Sequence, residues 1–360
     1  MQEAIMNRPN GAACQPYDPR VSNFPRQLWW VAAHSAQITA DSLVSRKLLG
    51  VDVLLSRRAD GTVWAIEDRC VHRGLPLSMG WKQGDEVVCR YHGFRYDTEG
   101  KVTCIPTQNA CPKTARVDSF PVVENPPFVW IWMGDPAAAD PAQAPDFAWL
   151  RDPGWVWASR HMNVRSNYML LKENVLDLTH FPFAHKSTFG ALDDYESAAE
   201  FSYEDGVVTF VKRFMDQPLS PIYDRDLNLG GRHVDRIDMG KSISPAEHFF
   251  TATIRDPMRE EPYLFRFQHL TTPQTNSSHH YWWVISRNYG LDPHPGEWFE
   301  QIASTAFRED KEILEAIQLR LNESPDPTRM PEVSAIADRG GLLARRQLRH
   351  FLEREQASAT

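Results

Sequence analysis

The sequence predicts an α+β chain of two domains, in which an N-terminal antiparallel β domain precedes an antiparallel sheet with helices. Three observations support this prediction. Short apolar runs alternate with turn residues from residue 27 to about residue 135. A stretch rich in Ala and Pro follows, as is typical of a linker. Beyond it, segments of helical and strand periodicity are mixed, and 360 residues suffice for two domains.

The boundaries follow from the same features. We expect an N-terminal extension at 1–25, the β domain at 26–135, the linker at 136–148 and the second domain at 149–355. In the first domain the apolar runs predict strands at 28–32, 51–55, 63–66 and 128–132. In the second domain the patterns predict helices at 167–181, 298–321 and 341–354, and strands at 207–213, 248–254, 263–270 and 279–285.

Composition and charge exclude several classes of protein. The net charge of −8 argues against binding to nucleic acid or to an anionic membrane surface. No apolar stretch reaches the length of a membrane span, and residues 1–24 lack the apolar core of a signal peptide. We therefore expect a cytoplasmic location. Cys14, Cys104 and Cys111 are expected to be free thiols, because an odd number of cysteines in a long chain is no disulfide framework. The alternative is a pairing of Cys104 with Cys111 across a loop.

Two mixed pairs of cysteine and histidine are the most specific feature of the first domain. Cys70 and His72 form one pair, and Cys89 and His92 form the other. Replacing two thiolates on one iron of a [2Fe–2S] cluster by neutral imidazoles raises its reduction potential. The arrangement therefore predicts a Rieske centre, with the cysteines on one iron and the histidines on the other. Structural zinc is the alternative, but zinc sites usually pair Cys with Cys and His with His.

A second group of polar residues lies in the first predicted helix of the second domain. Asn174 and Asp177 share the apolar face of this helix, where an unpaired polar group is costly. Pro182 cannot continue the helix, so His180 closes it and His185 lies just past the break. Two histidines from a helix end and the following turn could converge on one metal. The alternative is a pair of ordinary histidines, one of which caps the helix.

The long helix supplies a candidate third ligand. Its apolar stripe consists of Ile302, Ala303, Ala306, Phe307, Ile313, Leu314 and Ile317. At about 100° per residue, Asp310 falls in the middle of this stripe, whereas Glu309 and Glu312 fall at its edge or outside it. A carboxylate that faces the core needs a cation, and a structural ion pair is one possibility. With His180 and His185 it would form a 2-His-1-carboxylate triad, whose open positions suit Fe(II) oxygenases.

The chain resembles the α (oxygenase) components of Rieske non-haem iron oxygenases over nearly its whole length. The motifs that carry the resemblance are Cys70-x-His72, Cys89-x-x-His92-Gly93, Asn174-x-x-Asp177-x-x-His180-x₄-His185 and Phe307-x-Glu309-Asp310-Lys311. The chain is similar to the subgroup that contains vanillate O-demethylase, dicamba O-demethylase and phthalate dioxygenase-like enzymes. The resemblance implies a catalytic domain of helix-grip type, a homotrimer, and a separate NAD(P)H-dependent reductase of flavin or ferredoxin type.

The resemblance also implies roles for two polar residues. In the family, an acidic residue bridges a Rieske histidine of one subunit and an iron-ligating histidine of its neighbour. By its position in the motif, Asp177 is expected to be that residue, and Asn174 is expected to lie beside the iron.

The expected reaction is monooxygenation of an aromatic substrate with O₂, by ring or alkyl hydroxylation or by O- or N-demethylation. The alternative is cis-dihydroxylation, and a more remote one is an electron-transfer protein without oxygenase activity. Candidate pocket residues are His269, Trp283 and Asn288. A substrate carboxylate could meet Arg213, Arg225, Arg232, Arg236 or Arg266, although surface positions are the default for arginine.

Overall fold

The computed structural model describes residues 24–186, 199–219, 223–224, 227–291, 296–324 and 332–358, without the side chains of 296–299 and 358. Most of the expected N-terminal extension, Cys14 and Arg225 lie outside the described residues. The strands are β1 Trp29–His34, β2 Val44–Leu48, β3 Val51–Arg57, β4 Val63–Glu67, β5 Trp81–Gln83, β6 Glu86–Val88, β7 Arg95–Tyr96, β8 Val102–Cys104, β9 Ser119–Phe120, β10 Val122–Asn125, β11 Phe128–Trp132, β12 Val156–Val164, β13 Glu200–Glu204, β14 Val207–Pro218, β15 His233–Ser244, β16 Glu247–Arg255, β17 Tyr263–Thr275 and β18 Ser278–Arg287. The α-helices are α1 Tyr168–Leu176, α2 Phe181–Ala184, α3 Gly296–Glu323 and α4 Arg339–Ser358.

The N-terminal half consists of three small antiparallel sheets. Their strand orders are β1-β11-β10, β2-β3-β4-β9 and β5-β6-β7-β8. All four strands that the sequence predicts in this half are present, as β1, β3, β4 and β11. The hairpin sheet β5-β6-β7-β8 shares an apolar core with β3 and β4, to which Leu54, Trp64 and Ile66 contribute. The prediction of an antiparallel β domain is confirmed.

The C-terminal half is built on a seven-stranded antiparallel sheet of order β12-β18-β17-β16-β15-β14-β13. In β14 and β15 buried and more exposed residues alternate, as expected for strands that face a core on one side. The four strands predicted in this half correspond to β14, β16, β17 and β18. Helices α1, α3 and α4 pack against the sheet or one another. This arrangement confirms the predicted antiparallel sheet with helices.

Strand β18 is buried on both faces, which explains its continuous run of apolar residues. Tyr281 and Trp283 face the helices, whereas Trp282 and Val284 face the first domain. The latter two pack in a cluster with Trp130 of β11. The two halves therefore share an apolar interface, and they are also joined by a hydrogen bond of 2.7 Å from the hydroxyl of Thr272 to the carbonyl of Val31.

The Ala/Pro-rich segment between the halves is packed against them. It forms three short 3₁₀ turns at Pro136–Ala138, Pro141–Gln143 and Ala148–Arg151. Phe147 and Leu150 are buried in the apolar interface between the two halves. The segment connects the two units of the chain without being a free tether.

The helix predicted at 167–181 is shorter than expected, and this prediction was wrong at its C-terminal end. Helix α1 ends at Leu176, and Asp177 has an extended backbone with φ −125° and ψ 97°. The Asp177 carboxylate accepts hydrogen bonds from the amide and the hydroxyl of Thr179, at 2.9 and 2.6 Å. Such a local bond competes with the helix and starts a 3₁₀ turn. Pro182 then lies in the first turn of α2, where no amide is needed.

The two long helices agree with their predictions. Helix α3 covers the segment predicted at 298–321, and α4 covers the one predicted at 341–354. Among the described residues no helix is long and apolar enough to cross a membrane. The expected cytoplasmic location stays a prediction.

Candidate active site

The two cysteine–histidine pairs lie on loops of the same backbone geometry. In each loop the cysteine amide donates to the carbonyl five residues later, at 2.8 Å for both Cys70 and Cys89. The amide of the glycine four residues after each cysteine donates back, so Gly74 bonds to Cys70 and Gly93 bonds to Cys89. Both glycines have positive φ, at 74° and 73°, which a side chain would disfavour. Two matched tight loops therefore present the four side chains.

In these loops the cysteine side chains are buried and the histidine side chains are exposed. Cys70 and Cys89 are buried in the core of the hairpin sheet, whereas His72 and His92 are exposed with ring centroids 4.5 Å apart. Burial raises the pKa of the Cys89 thiol, although nearby backbone amides favour the thiolate. The Tyr96 hydroxyl donates to the sulfur of Cys70 at 3.1 Å. Two inner sulfurs and two outer imidazoles fit a Rieske cluster, which these four side chains would hold.

The second constellation begins with His180, in the 3₁₀ turn that follows α1. Its Nδ1 lies 2.5 Å from the carbonyl oxygen of Asp177, to which it donates. This bond directs Nε2 towards Asp310 of α3, at 3.5 Å. Asn174 lies beside both groups, because its amide nitrogen donates to Asp310 at 3.0 Å and lies 3.5 Å from Nε2 of His180.

His185 is held between two consecutive carboxylates of α3. Its Nδ1 lies 2.8 Å from Oε2 of Glu309, and its Nε2 lies 3.2 Å from Oδ1 of Asp310. The ring is 1% exposed. Burial would lower the pKa of His185, but the two carboxylates outweigh burial and raise it. The expectation that Glu309 lies at the edge of the apolar stripe or outside it did not reveal this contact.

The three predicted metal ligands converge. The ligand atoms of His180, His185 and Asp310 all lie within 4.8 Å of one another. Asp310 is 5% exposed. Burial alone would raise its pKa, but hydrogen bonds from the two histidines outweigh burial and lower it. A buried carboxylate beside two imidazoles, each oriented through its other nitrogen, fits a mononuclear metal of the facial-triad type.

A cavity opens directly from this triad. Its apolar lining consists of Val175, Leu178, Phe181, Tyr223, Phe250, Phe265, Phe267 and Phe307. Three polar side chains, Asp238, His248 and His269, also line it. Burial lowers the pKa of His248 well below its usual value and that of His269 to about 3, so both imidazoles are neutral at pH 7. Few polar groups in an apolar, concave site are typical of a small-molecule pocket.

Of the three candidate pocket residues, the structure places one in this cavity. His269 lines it, and Nδ1 of His269 lies 2.7 Å from the Tyr281 hydroxyl. Trp283 packs against Phe307 at the cavity wall. Asn288 bonds to the backbone of a neighbouring strand end and has a structural position. Sequence reasoning missed His248, although its alternation with the apolar residues of β16 was a usable signal.

The candidate arginines mostly have structural partners. Arg213 pairs with Glu200 at the surface, and Arg232 pairs with Asp256. Arg266 lies on the other face of the sheet, between the rings of Trp149, Trp155 and Phe249. Only Arg236, among the described candidates, is buried near the cavity, where its Nε lies 3.3 Å from the Asp238 carboxylate. Cys104 and Cys111 are free thiols, as expected.

Fold and site together define an oxygenase component with a Rieske domain and a mononuclear metal centre. Residues 28–121 match the model of the Rieske [2Fe-2S] domain, and residues 164–354 match that of the vanillate O-demethylase oxygenase C-terminal domain. The chain belongs to this family of Rieske oxygenases, and it is an oxidoreductase.

Relatives of the chain are named as oxygenases of this type. It is 34% identical to the iron-sulfur subunit of a toluene-4-sulfonate monooxygenase system of Comamonas testosteroni, with 88% of this chain and 94% of that protein covered. It is 33% identical to the oxygenase component of dicamba O-demethylase of Stenotrophomonas maltophilia, with 82% and 89% covered. A crystal structure of dicamba monooxygenase with non-haem iron and dicamba is 28% identical, with a TM-score of 0.79 and 93% and 99% covered.

Proposed function

We propose that the chain monooxygenates a small aromatic substrate with O₂, by ring or alkyl hydroxylation or by O- or N-demethylation. The observation that carries the proposal is the convergence of His180, His185 and Asp310 on a cavity lined by phenylalanine rings. Electrons from NAD(P)H would arrive through a separate reductase of flavin or ferredoxin type. Two relatives support this part, since they are named as a subunit of a monooxygenase system and as an oxygenase component.

The geometry supports an assignment of ligand roles. We assign Cys70, Cys89, His72 and His92 to the Rieske cluster, and the two triad histidines with Asp310 to a mononuclear Fe(II). When bound, the cluster supplies electrons one at a time and the mononuclear iron reduces O₂ beside the substrate. The chain itself orients the imidazoles, because the Asp177 carbonyl and the Glu309 carboxylate each accept from Nδ1 and turn Nε2 towards the ligand group.

The cavity indicates the kind of substrate. An aromatic ring would pack between the phenylalanine side chains, close to the triad. The neutral imidazoles of His248 and His269 can donate an N–H to an oxygen-bearing substituent on that ring. Toluene-4-sulfonate, which the name of one relative contains, is such a compound. We propose an arene with a polar oxygen substituent and a methyl or other oxidisable group opposite to it.

We propose a head-to-tail homotrimer in which the Rieske tip of one subunit meets the iron site of the next. The tip exposes the ring of Tyr91, whose centroid lies 3.8 Å from that of His92, and Met79 and Trp81 are exposed in the segment between the two loops. A cleft beside α1 and α3, which we call the Asp177 cleft, is lined by Asp177, His180 and further residues. Apolar side chains are exposed around it, among them Ile313, Ile317, Val333, Ile336 and Leu342. Two exposed apolar surfaces of one chain are typical of an interface.

Asp177 is suited to bridge the two metal centres across that interface. Both hydrogen bonds that its carboxylate accepts within the described part of the chain use Oδ1, which leaves Oδ2 for a histidine of the neighbour. Its own carbonyl already binds His180. For the domains we propose 26–135 as the Rieske domain and 149–355 as the catalytic domain, and the matched regions 28–121 and 164–354 lie within them.

The reaction can be tested on the purified chain with a surrogate reductase. Aryl sulfonates, aryl carboxylates, aromatic ethers and N-methyl arenes would be screened for product and for formaldehyde. Hydroxylated or demethylated product, with about three irons per chain, supports the proposal. A cis-diol product would indicate dihydroxylation instead. About two irons and no product would indicate an electron-transfer protein. In Asp310→Asn we expect loss of the mononuclear iron with an unchanged cluster spectrum.

The bridge is tested by Asp177→Asn. We expect both metal centres to be retained but electron transfer between them to fail, so that the reduced cluster is no longer reoxidised when substrate and O₂ are added. Near-normal turnover in this variant would contradict the assignment. Asp177 also caps the turn that holds His180, so iron content must be measured in the same sample.

A further inference from the structure

A second cavity of the molecule is lined by a buried glutamate, and a buried lysine lies near that glutamate. This outer cleft lies between β1, β11 and α4, and its lining includes Trp29, Trp130, Ser244 and Glu247. Glu247 is 6% exposed, and Lys172 of α1 is 2% exposed. The ammonium group of Lys172 donates to the carbonyl of Ser244 at 3.1 Å, and it interacts electrostatically with Glu247.

The pKa of Lys172 is lowered and the pKa of Glu247 is raised. Burial lowers the pKa of Lys172 to about 7, although the Glu247 charge opposes the shift. Burial raises the pKa of Glu247 to about 7, against the opposing charge of Lys172. Burial therefore disfavours the charged form of both groups. Arg354 and Glu355 of α4 line the same cleft on its outer side.

Two histidines, His248 and His269, line the substrate cavity that contains the triad. His248 follows Glu247 in β16, lines the substrate cavity and is 1% exposed. Its Nδ1 has no hydrogen-bond partner among the described residues. His269 faces it from β17, with ring centroids 5.6 Å apart. The charge of Lys172 contributes to the lowered pKa of each of the two imidazoles.

Monooxygenation consumes protons as well as electrons. Insertion of one oxygen atom into a C–H bond follows R–H + O₂ + 2 e⁻ + 2 H⁺ → R–OH + H₂O, so two protons must reach the substrate cavity in each turnover. The electrons and O₂ belong to the oxygenase reaction itself. Apolar side chains cannot transfer protons. Titratable groups near the cavity are therefore the candidates for the path by which protons enter it.

We propose that Glu247 and Lys172 pass protons from the outer cleft to the substrate cavity. Glu247 takes a proton from water in the cleft and passes it through a bridging water to the neutral Lys172 amine, since no direct hydrogen bond joins the two groups. The resulting ammonium releases a proton to His248 or to a water beside it, which restores the amine. No bond other than N–H and O–H forms or breaks, and no electron moves. The inference rests on the proposed oxygenase function.

Three variants of the full chain, with cluster and iron loaded, test the relay. Lys172→Arg keeps a positive charge opposite Glu247 but cannot release its proton. Lys172→Met and Glu247→Gln remove one group each. In all three we expect kcat to fall about tenfold or more with KM nearly unchanged, since general acid catalysis contributes about 10²–10⁴-fold. The solvent deuterium isotope effect on kcat should rise, and more O₂ should be consumed per product formed.

A structural role would give a different result. If Lys172→Arg restored normal kcat and a normal isotope effect while Lys172→Met lowered only the melting temperature, the relay would be wrong. The double variant Lys172→Met/Glu247→Gln should be no slower than either single variant, because both groups lie on one path.

Asp256→Asn is a matched control. Asp256 is another buried carboxylate at the far end of β16, paired with Arg232 and outside the lining of both cavities. We expect a loss of stability with an unchanged isotope effect. The wild type separates the two proposals, because a wild type that forms no product from any substrate contradicts the oxygenase function. A wild type that turns over while the variants match it contradicts the relay alone.

Discussion

His185 shows how much of the candidate site depends on single contacts. Consecutive residues of α3 hold both of its ring nitrogens, Glu309 through Nδ1 and Asp310 beside Nε2. A carboxylate that accepts from Nδ1 determines the tautomer of the ring, so the lone pair on Nε2 points at the metal position. Glu309 is partly exposed and orients His185, whereas Asp310 is buried and is itself a candidate ligand. Two consecutive residues therefore have different roles at the same site.

Removal of the Glu309 carboxylate should therefore weaken the metal site without emptying the Rieske cluster. In Glu309→Leu we expect the affinity for Fe(II), or for Co(II) as a probe, to fall about 10–100-fold, as is usual for such outer contacts. Glu309→Gln, which keeps an acceptor oxygen, should lose less. Calorimetric titration of cluster-loaded protein measures both. Glu312→Gln, an exposed change on the same helix, is the control, and an equal loss there would contradict the orienting role.

At the scale of elements, the break between α1 and α2 positions His180 in the candidate metal site. Because Asp177 caps a 3₁₀ turn instead of continuing the helix, its carbonyl is free to accept from His180. A helix continued through residue 181, as the periodicity predicted, would have used this carbonyl for its own hydrogen bonds. The functional histidines therefore lie in the segment where the regular helix stops.

Strand β15 supports the cavity wall through a glycine. Gly240 lies opposite Phe210 of β14, and a Cβ on it would lie 2.0 Å from the phenyl ring. Gly240→Ala should lower the free energy of unfolding by about 1–3 kcal/mol through overpacking. Phe210→Leu in the same chain should recover part of this loss, since the two positions are in contact. Urea unfolding at constant pH measures both effects.

The solvent side of the same strand provides the control for this prediction. Lys241→Ala should change stability by no more than about 0.5 kcal/mol, because it removes no core contact. If Gly240→Ala were equally mild, or if the two changes at Gly240 and Phe210 were additive, the phenyl ring would not be the cause of the strain.

At the scale of the whole molecule, neutral histidines lie between the two halves of the chain. Nε2 of His161 lies 3.0 Å from Nδ1 of His280, whose other nitrogen lies 3.2 Å from the carbonyl oxygen of Lys47 in the first domain. Burial, with Arg46 nearby, lowers the pKa of His161 from 6.5 to about 4 and that of His280 from 6.5 to about 3. The interface therefore excludes the charged form of both rings.

These lowered pKa values predict acid sensitivity. Below pH 6.5 the two histidines bind protons in the unfolded chain but stay neutral in the folded chain. The free energy of unfolding is therefore at its full value above pH 6.5 and falls as the pH drops towards 4. In His280→Gln the unfolding free energy should depend less steeply on pH, by up to about 1.4 kcal/mol per pH unit for one proton. Denaturant unfolding at several pH values between about 5 and 7.5 measures the slope.

His233→Gln is the control for this pH dependence, because His233 is an exposed histidine on β15. Its curve should run parallel to that of the wild type. Parallel curves for His280→Gln as well would show that the interdomain histidines do not cause the acid sensitivity.

Much of the fold and site could be predicted because the relevant signals are local. The spacing of Cys70, His72, Cys89 and His92 predicts the two loops that would hold the cluster. Helical periodicity predicts that Asp310 lies on the buried face of α3, and it does. The end of α1 could not be predicted from periodicity, since one side chain, Asp177, decides it through a bond to Thr179. Local competition of this kind changes the backbone without changing the apolar pattern.

By itself, the sequence predicted the class of the protein, the candidate metal-binding side chains, and a β domain followed by an antiparallel sheet with helices. Only the tertiary structure decided which groups orient those side chains, which polar residues line the cavity beside the triad, and that buried Lys172 and Glu247 lie near each other at a second cavity. Ligand types and their spacing are properties of short segments. Orientation and solvent access depend on contacts between residues far apart in the chain, such as His185 with Glu309, and these exist only after the helices pack on the sheet.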